Sequence, residues 1–596
     1  MHTIREIKEH YERIALESKG HYLVGLDPQT FLEEFLPWGD LTPDAYRGIL
    51  PSKERLKNLR SVVPKRGQKE SVMYEPFVKA LDRWVAEDAL KKAQVPKAQT
   101  LRFLNTKLSD TSCNNLNPDI STYWDDDFTG RTNFSRQQTH QEFKLDLTHD
   151  PFQHVSDERP EDSECKADNM DEVQGEDDGD GDGENPEDDE REKEVEDDDE
   201  DKQDKTDEMD VNIELNDDTV DALLHSAPNE EEPQGEENIA SSNEAKLPAS
   251  SAASSVETDT EAGIHTRGQI AVHAGIGLTI SFRKHLFSIL ILGRYARFIH
   301  WDRRGAIVTC RFDYTKYPLH IFNFYLRYGQ LTPLQRGFDP TVELYKERLP
   351  KSVGDAIDRD PAWYGGGAML KCGDAARSFE GFFRVEGTDD ETGAQESFFI
   401  PPPKFRRACL DPFYPATRRY PYQEIAKNVK KPTMSFLKDS WQEDSEHTDR
   451  EAAIYRIPKK HVKNVAFMRL GSDVRGLETE TQTWVIALCS KLKRLKDKMI
   501  CHRIVLDTVA RDLSTFTWCK VLLSCIADAV EAAQEAYKAG ILHRDLSAGT
   551  IMIVEDKETQ KWRGILIDWD IYLPRKTHGR SGRTASHGSY MYLCGY

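Results

Sequence analysis

Residues 155–265 limit the fold of this 596-residue chain more than any other stretch. Between positions 171 and 201 stand twenty acidic residues against two basic ones, Arg191 and Lys193. The acidic run is followed by Ser/Ala/Glu-rich sequence such as PASSAASSVETDTEAG, with almost no aromatics. Such a segment cannot bury enough apolar surface to offset the entropy of ordering it, so disorder is expected over 155–265. Folded structure is confined to what lies on either side. The 171–201 run carries −18 of the whole-chain −24, so the remainder is close to balanced. Bulk charge therefore gives no support for a nucleic-acid partner. The acidic run itself suits basic proteins such as histones or ribosomal proteins.

One run inside this segment imitates a calcium loop. DGDGDGENPEDD, residues 178–189, has Asp at its first, third and fifth places and Gly183 at its sixth. The twelfth place is Asp189 where Glu is required, Pro186 falls within the loop, and no amphipathic helix flanks it. A solvated acidic tract is the better reading.

Before this segment, Ile4, Ile7, Tyr11 and Ile14 recur at helical spacing, as do Phe77, Leu81, Trp84 and Val85. A mainly helical region is expected over 1–154. After it, from 266, the texture is globular. HLFSILILGRYARFIHWDRRGAIVTCRFDY reads as successive strands broken by a turn at 302–305. The longest apolar run, LFSILIL, is strand-sized, so no membrane span is expected. The N-terminus has no apolar core of signal-peptide length. Ten cysteines lie scattered with no C-x-x-C pair and no cysteine–histidine cluster at zinc-like spacing. Reduced thiols and an intracellular location, cytoplasmic or nuclear, are expected.

The chemistry lies near the C-terminus. WCKVLLSCIADAVEAAQEAYKAG carries apolar residues at 522, 526, 530, 533 and 537, an amphipathic helix ended by Gly540. GILHRDLSAGTIMI follows, and then the strand GILID after a polar loop. A helix, His-Arg-Asp, and two short strands ending in Asp is the order of a kinase catalytic core. The turn presents Asp545 to a substrate hydroxyl as base, and the strand pair delivers Asp568 to a magnesium ion on nucleotide phosphates. His543 and Arg544 support the loop from behind.

GRYARFIHWDRRGAIV, LQRGFDPTVE, FLKDSW and GILHRDLSAGTIMI with LIDWD occur in that order, and the chain resembles the fungal-type protein kinase family. The resemblance runs from about 266 to the end. It implies an α+β protein-kinase-like two-lobe fold with a truncated C-lobe, beside the helical N-terminal region and the long acidic insertion. Residues 266–410 become a family-specific part, 411–510 the N-lobe, and 511–596 a partial C-lobe with the start of the activation segment. It implies ATP and Mg as cofactors. Lys438 matches the lysine that holds nucleotide phosphates. Glu451 is the best candidate for its helical partner, with Glu443, Asp444 and Glu446 competing. In this family Asp-Trp-Asp and Ser547 are ordinary variations.

Three features depart from a complete kinase. Thr550 stands in the place of the metal-binding Asn, beside Asp568 as the main metal ligand, so weakened metal binding is expected. FYPATRRYPY, residues 413–422, aligns with the phosphate-covering loop and contributes Thr417, but Pro415 and Ala416 replace flexible glycines. The glycine run 365–370 is a weaker alternative. No lower-lobe helices follow Asp568 before Tyr596, so either the sequence is truncated or a partner covers the apolar surface of the 518–538 helix. Residues 574–589 are basic and hydroxyl-rich, with Arg575, Lys576, Arg580 and Arg583 among Thr577, Ser581, Thr584 and Ser586. They fit either a phosphorylation-controlled segment or an exposed polar loop. Two functions follow: ATP-dependent phosphorylation of Ser or Thr in proteins, or a kinase-shaped scaffold that holds basic partners. A small-molecule kinase shares the H-x-D spacing but not the family segments.

Overall fold

The computed structural model describes residues 4–38, 50–84, 100–106, 116–153, 256–345, 382–400, 411–413, 418–423, 434–444, 450–456, 462–488, 497–508, 510–543, 545–556, 561–569 and 573–574. The acidic tract with its calcium-loop look-alike, the glycine run 365–370 and the hydroxyl-rich stretch after 574 fall outside these residues.

Eight strands form the largest sheet: β1 (Tyr22–Leu26), β2 (Leu101–Asn105), β3 (Ile120–Trp124), β4 (His140–Lys144), β5 (His285–Leu292), β6 (Tyr295–Asp302), β7 (Ala306–Thr309) and β8 (Phe312–Asp313). Their order is β1-β7-β6-β5-β4-β3-β2, with β8 paired to β6. The apolar run of β5 is buried at every position, as a central strand covered on both faces must be. β5 and β6 pair from His285–Asp302 to Leu292–Tyr295 without a slip. The turn expected at 302–305 forms because the Asp302 carboxylate accepts from the backbone N–H of Arg304 and Gly305.

This sheet changes the reading of the N-terminal region. Helices occur at Ile4–Glu17 and Tyr74–Leu81, where the spacing puts them. The second ends at Leu81, before Trp84. Yet β1 to β4 also come from this region and join strands from beyond the acidic insertion. It is therefore mixed α/β, not mainly helical, and it shares one sheet with residues 285–313. Strands of five residues carry too little periodicity to be seen in sequence.

The boundary drawn at 265 also moves. Glu257 bridges to Phe152, and its carboxylate accepts from Gly20 N–H at 2.8 Å. Thr260 then caps the helix Glu261–Ile280, its hydroxyl accepting from Gly263 N–H. That helix is buried on nearly all sides, so it lacks the amphipathic stripe by which sequence reveals a helix. Helix Ile4–Glu17 crosses it at Gly268, where a Cβ would stand 1.9 Å from the Tyr11 carbonyl oxygen.

A second layer carries the site. β9 (Val342–Tyr345), β10 (Phe382–Thr388) and β11 (Gln395–Ile400) form one sheet. β12 (Arg418–Gln423), β13 (Met434–Glu443), β14 (Met468–Glu478) and β15 (Met499–Leu506) form another, in the order β12-β13-β15-β14. Phe383, Val385 and Phe398 of the first pack with Leu437, Leu470 and Val505 of the second. The described strands within 266–410 thus divide between the large sheet and this layer.

The helix Cys519–Lys538 packs on β17 (Ile541–Leu542), β18 (Ile551–Asp556) and β19 (Lys561–Leu566), while β16 (Arg511–Asp512) pairs with β18 and β20 (Leu573–Pro574) with β17. β18 and β19 are an antiparallel pair, as expected. The buried stripe of the helix, however, is Cys525, Ala529, Ala532 and Ala536. The larger apolar residues flank it, and Val530 and Tyr537 are exposed. Close approach is the reason. A Cβ at Gly564 would lie 2.0 Å from the Cys525 carbonyl oxygen, so only small side chains fit beneath the helix. No helix among the described residues is long and apolar enough to cross a membrane.

Candidate active site

Lys438 lies in the middle of β13, flanked by β12 and β15. Its Nζ donates to both carboxylate oxygens of Glu451, at 2.8 and 2.7 Å, and to Asp568 Oδ1 at 3.0 Å. All three side chains are buried, with exposures of 1%, 0% and 7%. Residues 130 positions apart in sequence therefore meet around one ammonium. Of the acids that competed for this role, Glu443 pairs with Arg304 and Asp444 with Arg450, while Glu446 lies outside the described residues.

The helix Glu451–Arg456 is short, and its placement is enforced from outside. Ala452 N–H donates to His502 Nε2 at 3.2 Å, and His502 Nδ1 contacts Asp473 Oδ1 at 2.8 Å. Arg450, just before the helix, donates to the Glu443 carbonyl and to Asp473. One turn after Glu451, Tyr455 is buried on the same face. Burial first, then the Glu451 carboxylate, holds its hydroxyl well above the usual tyrosine range. It stays protonated beside Asp568.

β13 is secured from its other face. Arg503 of β15 donates to both oxygens of Asp439, to Asp339 Oδ2 at 3.0 Å and to Thr341 Oγ1 at 2.7 Å. Asp339 and Thr341 belong to the LQRGFDPTVE segment, which gives that segment a structural task. Lys438 and Asp439 are neighbours on one strand, so they face opposite sides. The Arg503 cluster fixes the strand from which Lys438 projects.

The loop after Gly540 is built from its own residues. His543 Nε2–H donates to the Ile567 carbonyl at 2.9 Å, leaving Nδ1 to accept from Asp545 N–H at 3.3 Å. Trp569, between the two aspartates of Asp-Trp-Asp, is fully buried edge-on to His543, with ring centres 4.4 Å apart. Thr550 is buried. Its hydroxyl donates to the Asp545 carbonyl at 2.8 Å and accepts from Ser547 N–H at 3.1 Å. The hydroxyl thus closes the loop on itself. Ile567 N–H donates to the Thr550 carbonyl, joining this loop to the strand that ends at Asp568. Asp568 itself has φ +66°, a left-handed conformation that costs a non-glycine residue about 1–3 kcal/mol and clusters at functional sites. Asp545 is half-buried on the loop. Arg544 and Thr417 lie outside the described residues.

Three supports escaped the sequence reading: His502, Arg503 and Tyr455. Only Tyr455 had a local signal, its i,i+4 spacing from Glu451. The other two act through partners far away in the chain. The cluster holds two buried carboxylates against one ammonium, a surplus negative charge suited to a bound cation. No curated protein matches the chain. Residues 416–594, which include Lys438, Glu451, Asp545, Thr550 and Asp568, match the family model described as "Fungal protein kinase", and this part of the chain is a region of the fungal-type protein kinase family.

Proposed function

We propose that the chain is an ATP-dependent protein kinase of the fungal type that phosphorylates Ser or Thr in protein substrates. The observation that carries this reading is the buried contact of Lys438 with Glu451 and Asp568. The layer of β12–β15 forms the upper lobe, and the helix Cys519–Lys538 with its loop begins the lower one. Lys438, oriented by Glu451, would hold nucleotide phosphates; Thr417 would face them from the preceding segment, as the family resemblance implies. Asp568 would hold Mg²⁺, and the Thr550 hydroxyl fixes the loop beside it. Bound Mg·ATP supplies the phosphoryl group and neutralises the charge that develops on it. Asp545 accepts the proton of the acceptor hydroxyl, with His543 and Arg544 holding the loop. The acidic segment, at −18 over 171–201, would gather basic protein partners.

The test is transfer of labelled γ-phosphate from Mg·ATP to a Ser/Thr/Tyr peptide library and to basic proteins. Label should appear on Ser or Thr and fall by about 10²–10⁴-fold in Asp545→Asn. Transfer that is unchanged in Asp545→Asn, or that settles on Tyr, would overturn the reading.

A further inference from the structure

A group of buried, unsatisfied imidazole nitrogens outside the kinase site lies where the large sheet meets the turn after β14. His285 opens β5 and His300 lies near the end of β6. The register pairs His285 with Asp302 and Phe287 with His300, so the two imidazoles are diagonal neighbours on one face. Their ring centres are 4.8 Å apart. Glu480 reaches them from the far side of the chain, immediately before the helix Thr481–Leu488. One ligand atom from each of the three residues falls within 4.8 Å of the others.

Each group is prepared for a cation. His285 Nε2 contacts the Gln335 carbonyl at 2.9 Å, which makes it the protonated nitrogen. Nδ1 then carries the lone pair, and it is buried without a hydrogen-bond partner, 4.0 Å from Glu480 Oε2. A backbone carbonyl that fixes the tautomer in this way is the usual companion of a metal-bound histidine. His300 is fully buried, stacked on Phe35 at 4.6 Å, and neither of its ring nitrogens has a partner. Lys284 binds the other oxygen of Glu480, leaving Oε2 toward the histidines. The Asp302 carboxylate accepts from Glu480 and Thr481 N–H at 2.7 Å each and fixes the turn that presents Glu480.

We infer that His285, His300 and Glu480 form a site for a divalent transition-metal ion of the zinc class. Two imidazoles and a carboxylate are a zinc donor set, with water completing four-coordination. Tetrahedral zinc would draw the ligand atoms closer, and Glu480, with 41% of its side chain exposed, is the one free to move and the side from which the ion enters. The bound ion would tie β5 and β6 to the end of β14, and so tie the large sheet to the sheet that carries Lys438. It is distinct from the magnesium role assigned to Asp568.

The test uses the full chain, stripped with a chelator and titrated with Zn²⁺ against a chromophoric competitor. One tight equivalent is expected, with X-ray absorption showing two imidazole ligands and no sulfur. His300→Phe keeps the aromatic stack and removes both nitrogens, so it should fold and lose the tight equivalent. Glu480→Gln should weaken binding by more than the roughly 10–100-fold that loss of a supporting hydrogen bond costs a metal site. Weak additional binding by the acidic tract would be unchanged in both variants. The inference is overturned if the wild-type chain takes up no tight equivalent, if the ion has sulfur ligands, or if His300→Phe retains wild-type affinity.

Discussion

At the scale of single residues, the site depends on a cation held between two carboxylates. Lys438→Met leaves Glu451 and Asp568 buried without it. Removing one partner of a buried ion pair costs about 3–5 kcal/mol. The variant should therefore lose nucleotide binding and also unfold at lower denaturant, measured by chemical unfolding beside a Mg·ATP titration. Thr550→Val keeps the shape of the side chain but drops the bonds to Asp545 and Ser547. It should cost about 1–3 kcal/mol and show increased amide exchange around 545–551. If Thr550→Val exchanges as the wild type does, the hydroxyl does not hold the loop. Lys438, Asp545 and Asp568 could be singled out in sequence because their motifs are local. His502 and Arg503 could not, because their meaning comes from Ala452, Asp473, Asp439 and Asp339, contacts that no spacing encodes.

At the scale of elements, close packing decides what sequence pattern leaves open. The helix Cys519–Lys538 was legible as a helix, but its buried face was not. Large apolar residues suggested one stripe, whereas the approach of β19 selects the small residues beside it. Gly564→Ala places a methyl group against the Cys525 carbonyl and should cost about 1–3 kcal/mol, with the loss seen in thermal unfolding. An unchanged melting temperature would show that the strand and helix can separate freely. The helix Glu261–Ile280 was missed for the related reason that a helix buried on all sides shows no polar face. β5 was legible because a fully buried strand reads as an unbroken apolar run.

At the scale of the whole molecule, the large sheet takes strands from both sides of the acidic insertion, an arrangement that composition could not reveal. Its interior also holds titratable groups. His273 is fully buried and held at about 3, chiefly by burial. An imidazole lowered on folding stabilises the protein fully above its unfolded value of about 6.5 and progressively less as pH falls toward 3. Urea unfolding at pH 7 and pH 5 should show lower stability at pH 5, and His273→Gln should reduce that difference. An equal difference in the variant would mean that folding leaves the His273 titration unshifted, and a larger one that its imidazole is protonated when folded. The central claim, that Lys438, Glu451 and Asp568 form a metal–nucleotide site, is tested most directly by calorimetric titration of the full chain with ATP, with and without Mg²⁺, beside Asp568→Asn. Saturable binding that needs Mg²⁺ and is lost in Asp568→Asn is predicted; absence of binding by the folded wild-type chain, or binding indifferent to Mg²⁺ and to Asp568, would contradict it.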